Sequence, residues 1–288
     1  MRNVLSVSLL ALAACAAEPD IPSAEQWAEV CEPWDEWDKP GPPFRIHGDT
    51  YYVGTCGIAA ILVTGEQGHI LIDGGSRGGG PLIEANIEAL GFRVRDVDFL
   101  LHTHEHFDHV GGLAYLQRQS RGKLLASMDA APVLESGITA SNDPQAGMHD
   151  PFEPAQVSGL ITGEGNVTTG HLTLTAIATP GHTPGALSWQ WQSCEGEDCL
   201  TIVLMDSLSP VSADDYRFSD HPEYLAAYRE GLSRLMDIPC DIALTPHPAG
   251  SRMFERIEEN TLVGLDECRA YAAKQLQRLD KRLAEEAG

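Results

Sequence analysis

The chain has 288 residues, 43% of them hydrophobic, which is enough for a large buried core in one or two domains. Only 19 Lys and Arg stand against 42 Asp and Glu, a formal net charge of −23. So acidic a surface is soluble and self-repelling and offers no basic patch to neutralise phosphates, which excludes nucleic acid as a partner.

The chain opens MRNVLSVSLLALAAC, a short basic start followed by an apolar run too brief to span a membrane as a mature helix. Residues 1–14 are read as a signal peptide. The four residues LAAC resemble a bacterial lipobox, which makes Cys15 the expected lipidated first residue of the mature protein. Ala16 is not an acidic retention signal, so the expected location is the periplasm, with a lipid anchor in the outer membrane. An ordinary cleavage nearby, after Ala17, is the alternative. Residues 15–43 form an N-terminal extension.

The apolar run 97–101 reads as a strand and HVGGLAYLQ as the opening of a helix, with HTHEHFDH between them. His104, His106, Asp108 and His109 cannot all be packed as ordinary core, because each needs its own polar partner. Imidazole and carboxylate together suit a borderline cation such as zinc. In an extended segment His104, His106 and Asp108 share one side and His109 falls out of phase, so two metals follow more naturally than one. His102 is expected to support a ligand or pack in the strand, and Glu105 to face the surface.

Downstream, His182 in ATPGHTPGALSW and His247 in LTPHPAGS would each be an ordinary structural histidine if alone, yet with the cluster they complete the donors for two ions. LTLTAIAT, LSWQW and LTIVLMD read as later strands, and residues 222–236 and 252–287 as amphipathic helices. A seam between two halves falls near residues 162–169. The aperiodic stretches SNDPQAGMHDPFEPA and SPVSADDYRF could overhang a pocket, whereas His149, His171 and His221 sit in no motif and read as surface or structural.

With Cys15 set aside, six of the seven cysteines remain, an even number that suits an oxidising compartment. Sequence neighbours suggest Cys31 with Cys56, Cys194 with Cys199 across the EGED turn, and Cys240 with Cys268. A thiolate zinc site lacks the usual knuckle spacing.

GTCGIAAILVTGEQGHILIDGG, LLHTHEHFDHVGGL, ATPGHTPGALSWQW, MDSLSPVS and ALTPHPAGS together resemble the metallo-β-lactamase superfamily, and within it the third subclass of class B β-lactamases. The resemblance runs from about Phe44 to the C-terminal helix and implies an α/β fold over residues 44–288, a four-layer αβ/βα sandwich of two similar halves. It implies two Zn2+ ions per chain, one held by His104, His106 and His182, the other by Asp108, His109 and His247. Asp108 would also orient the attacking water. Ser207 and Ser209 resemble the hydroxyls that hold the substrate carboxylate, and Asp73 the buried aspartate that supports a ligand or the His104 loop. Asp206 is expected beneath a ligand, although lactonase-like and glyoxalase-II-like relatives bridge their metals with such an aspartate.

The implied activity is hydrolysis of the β-lactam amide by a monomer, giving β-lactam resistance. The alternatives are a lactonase or thioester hydrolase on the same scaffold, and a non-catalytic zinc-binding lipoprotein.

Overall fold

Ile61, Val63, Ile70 and Ile72 belong to one buried cluster while the intervening Leu62 and Leu71 belong to another, so these strands are covered on both faces. In the computed structural model, which describes residues 20–162 and 164–288, that alternation builds layers. Cys15 and the signal segment lie outside the described residues.

The first sheet contains seven strands in sequence order: β1 (Phe44–His47), β2 (Thr50–Tyr52), β3 (Ile61–Val63), β4 (His69–Ile72), β5 (Val97–Leu101), β6 (Lys123–Ser127) and β7 (Val157–Ile161). β1 to β4 pair antiparallel, and β4 to β7 pair parallel. The second sheet holds β8 (Asn166–Thr169), β9 (Leu172–Ala178), β10 (Leu187–Glu195), β11 (Asp198–Leu204) and β12 (Ile242–Leu244); only β11 and β12 run parallel. The chain passes from one sheet to the other between Ile161 and Asn166, within the expected seam.

The helices follow the parallel pairings, since a parallel connection needs a crossover. α1 (Ala24–Val30) precedes the first sheet; α2 (Gly79–Ala89), α3 (Phe107–Val110), α4 (Leu113–Ser120) and α5 (Ala130–Ser136) link its parallel strands. α6 (Pro222–Asp237) joins β11 to β12, and α7 (Met253–Glu258) and α8 (Glu267–Ala287) close the chain. Ile83, Leu113, Leu116 and Leu134 cover the outer face of the first sheet; Tyr228, Leu232, Ala272 and Leu279 cover that of the second. Between the sheets lie Leu101, Leu174, Trp189, Ile202 and Leu244. These layers are the expected four-layer αβ/βα sandwich.

Two details depart from the sequence reading. The helical stretch expected over 252–287 is broken, because Asn260 turns left-handed at φ 54° and α8 restarts only at Glu267. The buried Arg256 holds the break by donating to the carbonyls of Ala243 and Leu262. The extension contributes Trp27 of α1 to the inter-sheet core, against Phe44, Tyr52 and Phe254. The structure contains three disulfides, Cys31–Cys56, Cys194–Cys199 and Cys240–Cys268. Among the described residues no helix is long and apolar enough to cross a membrane.

The glycines after β4 and β5 let two backbones meet under the functional loops. A Cβ on Gly112 would sit 2.2 Å from the carbonyl oxygen of Gly74, a backbone atom with no room to withdraw. Gly112→Ala is therefore expected to lower stability by about 1–3 kcal/mol, as overpacking does; urea denaturation should show the reduced midpoint, and an unchanged midpoint would refute the close approach.

Candidate metal centre

The parallel strands β4, β5, β11 and β12 end at one edge of the sandwich, and the segments that leave them carry the chemistry, as in other open α/β sheets. β5 delivers Thr103 to His106. β11 leads into residues 205–209, β12 into Thr245 to His247, and the β9–β10 connection carries His182.

His106 caps α3, so Asp108 and His109 lie on its first turn. This corrects the extended-chain picture of the motif: β5 ends at Leu101, His104 to His106 lie in a loop, and helical backbone turns Asp108 and His109 by its own period. Two donor groups nevertheless form, His104 with His106 and His182, and His104 with Asp108 and His109, the donor atoms of each lying within 4.8 Å of one another. His247 joins the second group, its Nε2 3.3 Å from His109 Nε2 and 3.4 Å from Asp108 Oδ2. Asp108 Oδ2 is itself 3.1 Å from His109 Nε2. All six expected donors thus meet.

The donors fit cations. Two imidazole nitrogens 3.3 Å apart repel through their lone pairs unless a proton or a cation lies between them. His104 Nε2 and His109 Nδ1 are buried without a hydrogen-bond partner, a state that costs about 1–3 kcal/mol per group when nothing answers it. Burial and the neighbouring imidazoles hold His104 and His182 well below the ordinary histidine range, in the neutral ligating form. At His109 and His106 burial also pulls downward, but Asp108 and Asp143 respectively outweigh it and raise both. Burial opposes the ionisation of Asp108, yet His109 and His247 hold it well below the carboxylate range.

A ring of carboxylates stands behind the imidazoles. Asp73, left-handed at φ 66°, accepts from Thr103 N and Thr103 Oγ1, each at 2.7 Å, and its Oδ2 lies 3.7 Å from His109 Nδ1. Asp143 lies 3.2 Å from His106 Nε2 and accepts from Gln145 N at 2.7 Å. Asp206 Oδ1 approaches His104 Nδ1 at 2.8 Å, off the hydrogen-bond direction, and is a member of neither donor group. Burial pushes Asp73 up to about 6 and Asp206 to about 7, the behaviour of acids waiting for nearby positive charge.

Glu105 corrects the sequence reading. It is 1% exposed, not surface-facing, and its carboxylate accepts from Thr183 Oγ1 at 2.6 Å and Gly185 N at 2.8 Å. One side chain therefore ties the His104–His106 loop to the His182 loop, and burial lifts it to about 7. Its position between two histidines gave no periodic signal of an inward direction, because a loop has no period. His102 is buried and neutral; burial drops it to about 4, and its Nε2 accepts from Ser127 N at 3.2 Å.

The Ser207–Ser209 turn is strained at Leu208, which is buried with φ 51°. Tyr228 and Tyr271 clamp it by donating to the carbonyls of Leu208 at 2.6 Å and Ser207 at 2.5 Å. Ser207 Oγ is buried and has no partner, whereas Ser209 meets His182 Nδ1 at 3.0 Å through its hydroxyl and through its carbonyl.

Both serines line a cavity of about 390 Å³ beside His106, Asp108, His182 and His247. Residues that the sequence reading missed complete its walls. Trp34 and Trp37 stand with ring centroids 6.1 and 6.2 Å from His247, in a segment fastened by Cys31–Cys56 and by Thr55 Oγ1 donating to Trp37 O at 2.5 Å. Gln145 and His149 come from the aperiodic 141–155 stretch, and Val211 from the other overhanging segment. His149 is half-buried and lines the cavity, its ring 4.8 Å from that of His106, so it is not the surface residue the sequence allowed. The WDEW pair was the one available signal for the tryptophan wall, and the aperiodicity of the two overhanging stretches was the signal for Gln145, His149 and Val211.

The fold and its paired donor groups define an αβ/βα sandwich with a two-metal centre. Residues 53–194 match the Metallo-beta-lactamase superfamily. The MIM-2 metallo-β-lactamase is similar at 55% identity over 92% of this chain and 98% of its own, with a TM-score of 0.88. MEM-A1, a subclass B3 metallo-β-lactamase from a soil metagenome library, is similar at 38% identity over 88% of this chain and 99% of its own, with a TM-score of 0.85. A probable metallo-hydrolase of Burkholderia pseudomallei strain 1710b is 31% identical over 105 residues, 36% of this chain and only 34% of that protein. The chain belongs to the metallo-β-lactamase superfamily and stands among its subclass B3 enzymes.

Glu105→Ala would leave Gly185 N and Thr183 Oγ1 buried and unanswered and free the two histidine loops from each other. Zinc affinity should fall about 10–100-fold, the usual effect of losing a residue that orients metal ligands. Competition against a chromophoric chelator measures it, and wild-type affinity would count against the staple.

Proposed function

We propose that this protein hydrolyses the amide bond of β-lactams, the penicillins, cephalosporins and carbapenems, with two Zn2+ ions per chain and thereby confers β-lactam resistance. The observation that carries this reading is the meeting of six donors from three remote stretches beside one cavity, which His106, Asp108, His182 and His247 line, in a chain of the subclass B3 family. His104, His106 and His182 would hold one ion, and Asp108, His109 and His247 the other. The chemistry a bound zinc pair supplies is Lewis-acid polarisation of the lactam carbonyl and a water acidified toward neutrality.

The chain's own part is orientation and binding. Asp108, kept ionised by His109 and His247, accepts a hydrogen bond from the attacking water and aims its oxygen at the carbonyl carbon. As the C–O bond forms, the ring C–N bond breaks and the water proton ends on the departing nitrogen. Asp73, Glu105, Asp143 and Asp206 keep the imidazoles in place throughout. Ser207 donates to the substrate carboxylate through its free hydroxyl, and Ser209, beside His182, completes that contact. The tryptophan wall gives the substrate's apolar body a surface to lie against. Asp206 lies against His104 Nδ1 and belongs to neither donor group, which favours this reading over the lactonase and thioester hydrolase alternatives.

Residues 44–288 carry the catalytic domain in this reading, and the mature protein works as a periplasmic monomer. Its three disulfides suit that oxidising compartment. Residues 1–14 direct export and Cys15 anchors the chain to the outer membrane. Cys15→Ser should therefore move the protein from the membrane fraction to the soluble periplasmic fraction; retention in the membrane fraction would remove the anchor from this account.

The purified mature protein should open a carbapenem and a chromogenic cephalosporin, lose both activities to a chelator, and regain them with Zn2+. Cleavage of a homoserine lactone beside inert β-lactams would transfer the protein to the lactonase reading.

A further inference from the structure

One wall of the cavity is a stripe of α8. Tyr271, Lys274, Gln275 and Arg278 follow the i, i+3, i+4, i+7 spacing of a single helix face, and all four line the cavity beside Ser207 and Ser209. Tyr271 joins this wall directly to the serine turn by donating to the Ser207 carbonyl. Gln275 is buried, and its Oε1 accepts from Arg278 Nη1 at 3.1 Å, which holds the guanidinium over the cavity side of the helix.

The pairing of charges along α8 is uneven. Arg269, Lys281 and Arg282 reach carboxylates at 3.2 Å (Asp237), 3.7 Å (Glu285) and 2.9 Å (Glu286). Lys274 and Arg278, the two that face the cavity, make no ion pair among the described residues. Of the five basic side chains on α8, these two are the ones left without a carboxylate partner among the described residues. They are also the lysine and arginine of the cavity lining, whose acidic member is the metal-side Asp108. A wall of low polarisability concentrates the field of such charges on whatever enters.

We propose that Lys274 and Arg278 are the charged half of the subsite that receives the ring carboxylate of the substrate, with the free hydroxyl of Ser207 as its hydrogen-bonding half. This rests on the β-lactamase reading. Serine hydroxyls fix direction at short range but carry no charge. The two cations supply the attraction that draws an anion into the mouth of a strongly acidic protein, and the guanidinium can take a carboxylate in two parallel hydrogen bonds. They are specificity residues, acting on binding and not on the bond that breaks.

The test removes the carboxylate from the substrate as well as the charge from the protein. Steady-state kinetics of wild type and the K274Q/R278Q double variant are compared on a chromogenic cephalosporin and on the methyl ester of its ring carboxylate, at low and high salt. On the free acid the variant should lose about tenfold in kcat/KM, mostly through KM, as two exposed charge contacts allow. On the ester the loss should shrink to less than about twofold, and the salt sensitivity of wild type on the acid should diminish in the variant. K274R/R278K, which keeps the charges, should recover most of the activity. Equal losses on acid and ester, or an undiminished preference for the acid, would overturn the proposal alone. A wild-type enzyme that opens neither compound would overturn the β-lactamase reading, and this inference with it.

Discussion

Six lone-pair donors are crowded into one small space, and at its centre three of them face one another. With His109 Nε2, His247 Nε2 and Asp108 Oδ2 all within 3.4 Å, the site is tolerable only if protons or cations sit among them. Most of the surrounding structure is there to enforce that crowding. Asp73, Glu105, Asp143 and Asp206 each brace a different imidazole or loop from behind, and three of them are acids that burial makes reluctant to ionise. A pair of dications reverses that reluctance, so metal binding and the ionisation of the supporting carboxylates stabilise each other.

The burden of holding this geometry falls on rigid parts of the fold. The donors leave the ends of strands whose both faces are buried, and the glycines at 74 and 112 bring β4 and the start of α4 into backbone contact below them. At the two left-handed residues beside the donors, Asp73 and Leu208, the backbone is clamped by the Thr103 hydrogen bonds in one case and by two tyrosine hydroxyls in the other. Strain held by hydrogen bonds beside the donors is what a preorganised centre requires.

The walls of the cavity have a different origin from its floor. The tryptophans come from the segment before β1, Gln145 and His149 from a loop after α5, Val211 from the loop after β11, and the cations from the last helix. None of these belongs to the parallel strands that set the donors. Substrate preference can therefore vary through the walls while the metal geometry stays fixed, a division common to folds that host several chemistries.

The sequence alone was enough for the donors and for most strands. HTHEHFDH packs its ligands into one short stretch, and the runs at 97–101 and 172–178 alternate or stay apolar as strands must, so both signals are local. The neighbour disulfides were legible for the same reason. The inward turn of Glu105, the part played by His149, the break between α7 and α8, and the cavity walls from Trp34, Trp37, Lys274 and Arg278 became visible only in three dimensions. Each depends on contacts between segments far apart in the chain, and a side chain in a loop or on an exposed helix face carries no periodicity to say what it will meet. Chain chemistry singled out the candidate donors; the tertiary fold decided what stands behind them and what lines the cavity.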